Sequence, residues 1–129
     1  MRVLVVGDKE EERRILVDAL NELGHTVSEA DDGITGWLAF KKGSFDLILS
    51  DFIMTNMNGL DLCRKVRAEA RNHYTYIIIC STLSGKQHVL EGFKSGVDDY
   101  LAKPVDLGEL KGRLLSAERV TEVHRALAE

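Results

Sequence analysis

Residues 45–51, with the sequence FDLILSD, form an apolar strand-like run that ends on the carboxylate of Asp51. A turn-forming run, MTNMNG at residues 54–59, follows it. Asp51 is therefore expected just outside the carboxyl edge of a sheet, where open α/β folds place their chemistry. Three further apolar runs end on a polar residue in the same way, before Asp8, Ser81 and Lys103. The pattern predicts that carboxylates, a hydroxyl and an amine meet at one edge.

The rest of the chain alternates strand-like and helix-like segments. The predicted strands cover about residues 3–6, 26–30, 45–51, 76–81 and 99–102. A helix follows each strand, with the third expected over residues 59–70 and the fourth over residues 86–94. In the second helix, Ile34, Trp37, Leu38 and Phe40 are expected to face the core. Such alternation predicts an α/β fold, a parallel sheet with right-handed crossovers and helices on both faces.

Composition restricts the class of protein. The 129 residues suffice for one domain but are too few for two. A net charge of −4 argues against direct binding of nucleic acid, which requires a basic patch. No apolar run approaches the roughly 18 residues of a membrane span, and no signal peptide precedes the first strand. We therefore expect a cytoplasmic protein with no membrane partner, in which Cys63 and Cys80 are reduced packing residues.

The residues at the predicted edge suit phosphoryl chemistry. The carboxylates of Asp8 and Asp51 can hold a hard divalent cation such as Mg²⁺. The hydroxyl of Ser81 and the ammonium of Lys103 can bind phosphoryl oxygens. Asp51 could then accept a phosphoryl group as a carboxylate nucleophile. The structural alternatives are that Asp51 only caps a turn and that Asp8 caps the first helix.

These motifs resemble those of a response-regulator receiver domain. The resemblance rests on residues 3–8, 46–51, 54–60 and 96–104 together with Ser81, and it extends from Arg2 into the last helix. It implies the flavodoxin-like strand order 2-1-3-4-5 for a five-stranded parallel sheet, which makes Asp8 a neighbour of Asp51. It also implies a protein that is not an enzyme, apart from Mg²⁺-dependent phosphorylation and dephosphorylation of its own aspartate.

The resemblance also implies a role for each residue. Asp51 is the phosphoacceptor, and Ser81 and Lys103 bind the phosphoryl oxygens. Asp8, Asp51 and the backbone carbonyl of Ile53 hold Mg²⁺ or Mn²⁺. Ser81 and Tyr100 form the conformational switch, in which the ring turns inward as the hydroxyl moves toward the phosphoryl group. For Tyr100 the alternative is an edge-strand aromatic that half covers the core.

The chain departs from the family pattern at several positions. Gly7 stands where the family usually has the first of two acids, and Lys9 stands where another acid is common. We therefore predict weaker Mg²⁺ binding than in a Gly7→Asp variant. Thr55 replaces a common proline, and Thr82 stands where alanine or glycine is preferred.

We predict a long-lived phosphoryl group, because two residues near the site are apolar. Ile53 and Leu83 lie two residues beyond Asp51 and Ser81, at the positions best placed, by resemblance, to orient a hydrolytic water. Neither side chain can form a hydrogen bond with that water, so slow self-dephosphorylation is expected.

Three other classes of protein are alternatives for these residues. A haloacid-dehalogenase-type phosphatase needs a second aspartate where Ile53 stands, and a dinucleotide-binding domain needs a glycine-rich loop that residues 7–10 do not form. A degenerate receiver that acts as a phosphorylation-independent interaction module is the remaining alternative, and Gly7 favours it. For the functional receiver, the resemblance implies a histidine kinase or a phosphotransfer protein as the phosphoryl donor.

The C-terminal segment suggests a connection to an output. The apolar stripe Leu107, Leu110, Leu114, Ala117, Val120 and Leu127 runs further than a five-stranded domain needs. We expect residues 1–118 to form the receiver and residues 119–129 to extend its last helix. The extension is either a frayed helix end or the start of a coiled-coil connector to an output domain beyond Glu129, and the connector is favoured. A partner protein as the target and a homodimer stay open.

Overall fold

Five strands alternate with five helices in the computed structural model, which describes residues 1–69, 71, 73–82 and 87–128. The strands are β1 (Arg2–Val6), β2 (Thr26–Ala30), β3 (Leu47–Asp51), β4 (Tyr76–Ser81) and β5 (Asp99–Ala102). The helices are α1 (Glu10–Glu22), α2 (Gly33–Lys42), α3 (Gly59–Ala68), α4 (Val89–Ser95) and α5 (Leu107–Ala128).

The strands form one parallel sheet in the order β2-β1-β3-β4-β5, which confirms the predicted topology. Val6 pairs with Ser50 in the register between β1 and β3, and Asp51 pairs with Cys80 in the register between β3 and β4. The carboxyl ends of β1, β3 and β4 therefore lie side by side. The chain reverses its strand order between β1 and β3, the position where open α/β sheets bind ligands.

Helices cover the sheet on both faces, so alternate strand residues enter two different apolar clusters. One cluster joins the sheet to α1 and α5 and includes Val5, Leu49, Ile78, Leu110 and Leu114. The other joins it to α2 and α3 and includes Leu4, Val6, Ile48, Ile79 and Leu60. Every residue of β3 is buried, as expected for the central strand of a parallel sheet with both faces covered.

The core-facing side of α2 differs from the prediction. Ile34 and Leu38 are 44% and 47% exposed, whereas Gly33, Gly36 and Phe40 are buried. The cause is a close approach of helix and sheet: a Cβ atom at Gly36 would lie 2.9 Å from Cγ1 of Val6. The prediction was therefore wrong for Ile34 and Leu38, because glycine carries no apolar signal in a periodicity analysis.

The remaining helix boundaries differ slightly from the predictions. Helix α3 ends at Ala68, before the predicted end at Ala70, which lies outside the described residues. Helix α4 begins at Val89, and the predicted start at Lys86 also falls outside them. Cys63 and Cys80 are free and buried. Within the described residues, no helix has the length and apolar character needed to cross a membrane.

Candidate functional site

Asp51 ends the buried strand β3 with its side chain in the sheet edge, and the residue is only 7% exposed. Oδ1 lies 2.8 Å from Nζ of Lys103. Oδ2 faces Gly7, where a Cβ atom would come within 2.6 Å of it. The carboxylate thus has one cationic partner, and its second oxygen occupies the space that a side chain at position 7 would need.

The surroundings of Asp51 disfavour its charged form. Burial raises the pKa of Asp51, and the neighbouring charges of Glu12 and Asp8 act in the same direction. The hydrogen bond and charge of Lys103 oppose this rise without cancelling it. A carboxylate with little hydration and an open lone pair is more reactive toward an electrophile than a fully solvated one.

Lys103 follows β5 and lies between two carboxylates. Its Nζ atom is 2.8 Å from Asp51 Oδ1 and 3.2 Å from Glu12 Oε1. Burial alone would lower the pKa of Lys103, but the two carboxylates more than offset it and raise the pKa. The ammonium is therefore charged and held at the site edge.

Glu12 was missed by the sequence analysis. It lies in the first turn of α1, which begins two residues after Asp8. The sequence shows acids there, but α1 carries Glu10, Glu11 and Glu12 in succession. Only the tertiary contact with Lys103 identifies which of the three reaches the site.

Asp8 is exposed at the end of the loop after β1, and its Oδ2 accepts a 3.1 Å hydrogen bond from the backbone N–H of Thr55. A proline at position 55, common in the family, could not donate this bond. The helix-cap alternative for Asp8 is wrong, because Lys9 is the N-cap residue of α1 and the cap has no side-chain hydrogen bond. Asp8 therefore faces the β3–α3 loop.

The oxygen donors present suit Mg²⁺ or Mn²⁺. Asp8 and Asp51 extend from neighbouring strands, and Ile53, 71% exposed, has no side-chain ligand, so only its backbone carbonyl is suitable. No group of three or more His, Cys, Asp or Glu side chains in the described residues could hold a metal. Mg²⁺ commonly takes one or two carboxylates and keeps several waters, so this sparse set of hard ligands fits it.

Most of the predicted site residues line one cleft. A cavity of ≈ 180 Å³ is bounded by Asp8, Ile53, Ser81 and Lys103, with Lys9, Phe52 and Thr82 among its other lining residues. Asp51 does not line this cleft but borders a second pocket of ≈ 130 Å³, together with Gly7, Glu12 and Lys103. Lys103 lines both spaces. The cleft therefore offers room for a group bound beside the Lys103 ammonium, which contacts Asp51 Oδ1.

Ser81 and Tyr100, the predicted switch pair, are both partly buried. The Ser81 hydroxyl donates a 3.1 Å hydrogen bond to the Thr82 carbonyl. The Tyr100 hydroxyl donates a 3.5 Å hydrogen bond to the His88 carbonyl. Its ring packs edge-on against Phe93, with centroids 5.3 Å apart. Leu83, predicted to protect the phosphoryl group, lies outside the described residues.

Gly92 of α4 provides the space for Tyr100. A Cβ atom at position 92 would collide with the Tyr100 hydroxyl and lie 2.8 Å from Cζ. The ring therefore lies over the helix backbone, in a position that a larger residue at 92 would prevent. Sequence analysis did not identify this role, because a helical glycine has no distinctive periodicity.

Comparisons with known proteins agree with this geometry. The family model for the "Response regulator receiver domain" matches residues 3–115. The chain is 40% identical over 116 residues to the "Chemotaxis protein CheY homolog" of Campylobacter jejuni, covering 88% of this chain and 89% of that protein. It is 33% identical to "Chemotaxis protein CheY-3" of Vibrio cholerae over 115 residues, 88% of each chain.

A solved structure shows the same arrangement of elements. The receiver domain of the Francisella response regulator 1452 superposes with a TM-score of 0.84 at 31% identity, covering 93% of this chain and 98% of that one. The family model stops at residue 115, so the second half of α5 lies beyond the matched region.

Proposed function

This chain belongs to the response regulator receiver domains, and we propose that it accepts a phosphoryl group on Asp51 and changes conformation to regulate an output. The observation that carries the proposal is the 2.8 Å contact between Lys103 Nζ and the buried Asp51 carboxylate at the switch point of the sheet. A histidine kinase or a phosphotransfer protein, met in the cytoplasm, donates the phosphoryl group.

The transfer forms a bond between a carboxylate oxygen of Asp51 and phosphorus, and the bond between phosphorus and the donor breaks, leaving its electron pair with the donor. Lys103, already beside Oδ1, pairs with a phosphoryl oxygen, and Ser81 donates a hydrogen bond to another. Asp8, Asp51 and the Ile53 carbonyl would hold Mg²⁺ or Mn²⁺, which supplies charge neutralisation for the phosphoryl oxygens when bound. Self-phosphorylation and self-dephosphorylation are the only reactions proposed.

Ser81 and Tyr100 carry the signal away from the site. Movement of the Ser81 hydroxyl toward the phosphoryl group breaks its present bond to the Thr82 carbonyl. Tyr100 then exchanges its position over Gly92 for an inward one. This change alters the surface of α4 and β5 that Phe93 and Tyr100 form together.

The extension of α5 is proposed as the connector to an output domain beyond Glu129, and residues 1–118 as the receiver. The helix continues without a break to Ala128. Its first extended turns rest on the receiver: Thr121 is buried, His124 stacks on Tyr74 at 3.9 Å, and Arg125 lies 3.4 Å from Asp46. A partner protein or a second copy of the chain is the other candidate recipient of the signal.

A phosphorylation-independent interaction module is the second candidate function. Gly7 and Lys9 favour it, since they remove one carboxylate and add a cation near the metal ligands. The two functions differ in one measurable property, which is whether the output depends on phosphorylation of Asp51.

The test is phosphorylation by a small phosphodonor, acetyl phosphate, in the presence of Mg²⁺. The wild-type protein should gain one acid-labile phosphoryl group, seen as a mass increase of about 80 Da. Asp51→Asn should gain none, and Asp61→Asn is its matched control, because Asp61 is an exposed aspartate that forms an ion pair with Arg64 on the same helix. Wild-type protein that never gains a phosphoryl group from either acetyl phosphate or a phosphorylated phosphotransfer protein would favour the interaction module.

A further inference from the structure

Glu12 and Lys103 form a contact that the proposed chemistry does not yet use. Glu12 Oε1 lies 3.2 Å from Lys103 Nζ, and Glu12 Oε2 lies 3.6 Å from Lys9 Nζ. The Lys103 side chain is largely buried and the Glu12 side chain is 42% exposed. Glu12 therefore contacts both the largely buried ammonium of Lys103 and the exposed ammonium of Lys9 at the start of α1.

Lys103 and a metal ion compete for the same carboxylate. An ammonium 2.8 Å from Asp51 Oδ1 occupies a lone pair that a cation ligated by Asp51 could use, and its charge repels that cation. A second carboxylate on the far side of the ammonium weakens both effects, because it shares the Lys103 hydrogen bonds and cancels part of its charge.

Position 7 cannot supply this second carboxylate. Gly7 has no side chain, and Asp51 Oδ2 already fills the space in which one would begin. Helix α1 instead brings Glu12 next to Lys103, the residue that contacts Oδ1 of Asp51. Glu12, the third acid of the site, therefore reaches it through contact with Lys103.

We propose that Glu12 is a positioning residue for Lys103, which it holds between two carboxylates so that Asp51 stays available to a divalent cation. This inference rests on the proposed function. It predicts that loss of the Glu12 charge weakens cation binding for two reasons that act together: an anion is lost near the site, and Lys103 pairs more strongly with Asp51.

The experiment is a Mn²⁺ titration of the full chain, followed by the electron paramagnetic resonance signal of the free ion. Glu12→Gln should raise the Kd for Mn²⁺ by about three- to tenfold, the effect of one nearby charge in a partly exposed site. Glu11→Gln makes the same charge change one residue away in α1, and should raise the Kd less than about twofold, as expected of a more distant, screened charge. Equal shifts for the two variants would overturn the proposal.

A double-mutant cycle shows whether Glu12 acts through Lys103. Lys103→Met alone should lower the Kd for Mn²⁺, because it removes a competing cation. In that background, Glu12→Gln should raise the Kd by a clearly smaller factor than in the wild-type protein, because only the loss of a nearby anion then remains. A Glu12 effect of undiminished size without Lys103 would show that Glu12 acts directly on the metal, and would overturn the positioning role.

The same protein preparations separate this inference from the proposed function. Phosphorylation of wild-type Asp51 together with an unchanged Kd in Glu12→Gln would overturn the inference alone. The predicted Mn²⁺ pattern in a wild-type protein that neither acetyl phosphate nor a phosphotransfer protein phosphorylates would overturn the proposed function alone. Wild-type protein that binds no Mn²⁺ would overturn this inference.

Discussion

Asp46 directly precedes the central strand β3 and Asp51 is its last residue, and both are buried, at 8% and 7% exposure. Asp46 has several partners: Oδ2 accepts a 2.8 Å bond from the backbone N–H of Arg2, and Oδ1 lies 3.0 Å from His73 Nε2 and 3.4 Å from Arg125. Oδ1 of Asp51 contacts Lys103, whereas Oδ2 faces Gly7, which has no side chain.

The two carboxylates differ in their partners, and this difference indicates a structural role for Asp46 and a chemical role for Asp51. At the amino end of the strand, the Arg2 backbone N–H and the Arg125 guanidinium donate hydrogen bonds to Asp46 and the His73 ring lies beside it, so the carboxylate joins distant parts of the chain. At the carboxyl end, the helices and loops leave Asp51 with few donors. A buried acid that lacks donors costs stability, and such acids cluster at functional sites.

The largest expected effect is on phosphorylation. Asp51→Asn should abolish phosphoryl transfer from acetyl phosphate, because the amide has no nucleophilic carboxylate oxygen. Asp46→Asn should retain it, since Asp46 lies at the other end of β3. Intact-protein mass spectrometry of both variants measures the result. Full phosphorylation of Asp51→Asn would refute the acceptor assignment.

The lifetime of the phosphoryl group should also reflect the lack of donors around Asp51. Ile53 is exposed beside the site and cannot orient a water molecule by a hydrogen bond. Ile53→Asn should therefore accelerate self-dephosphorylation by about tenfold, less than a general acid or base contributes, because the amide can orient the water but does not take its proton. The decay of purified phosphoprotein measures the rate. Ile53→Val is the matched apolar control, and equal decay in all three proteins would contradict the prediction.

Stability should respond in opposite directions at the two aspartates. Asp46→Asn should lower the free energy of unfolding by about 1–3 kcal/mol, because it removes the charge of a buried carboxylate that binds the Arg2 N–H and Arg125, and places an amide N–H next to these donors. Asp51→Asn should leave stability unchanged or raise it slightly, since it removes a charge that burial disfavours. Urea denaturation compares them, and a larger loss for Asp51→Asn would reverse the assignment of the two roles.

The stability effect at Asp51 should depend on pH. Because the pKa of Asp51 is raised in the folded protein, folding favours its protonated form, and its charge becomes unfavourable as the pH rises from the unfolded pKa through the folded one. Any stability advantage of Asp51→Asn over the wild type should therefore be larger at neutral pH than near pH 3. A constant difference across that range would show that burial does not destabilise the Asp51 charge.

The smallest effect is expected where α5 reaches Asp46. Arg125→Ala should lower the free energy of unfolding by less than about 1 kcal/mol, because its side chain is more than half exposed and the ion pair is screened. Arg119→Ala, one to two turns earlier on the same helix, is the control, since Arg119 donates a hydrogen bond to Ser116 of its own helix. A loss as large as that of Asp46→Asn would mean that Arg125 carries most of the network.

Alternating periodicity was sufficient to predict the class of fold, and the family resemblance supplied the strand order. Each strand carries its own apolar pattern, and parallel strands bring their carboxyl ends to one edge. Asp8, Asp51, Ser81 and Lys103 could therefore be placed together from the sequence, although they are far apart in the chain. Their chemical roles stay predictions until phosphorylation is measured.

Contacts between elements could not be predicted in this way, because a local pattern contains no information about which side chains meet. The buried face of α2 depends on the small size of Gly36 against Val6, and the space for Tyr100 depends on Gly92. Neither glycine has an apolar signal.

The sequence by itself determined the succession of strands and helices along the chain and the residues at the carboxyl edge of the sheet. Both follow from local patterns and from the direction of parallel strands. Tertiary structure decided that Glu12, among three consecutive acids, contacts Lys103, and that Asp46 is surrounded by donors while Asp51 is not. The physical reason is that these properties depend on side-chain distances across elements, which only the packing of helices against the sheet sets.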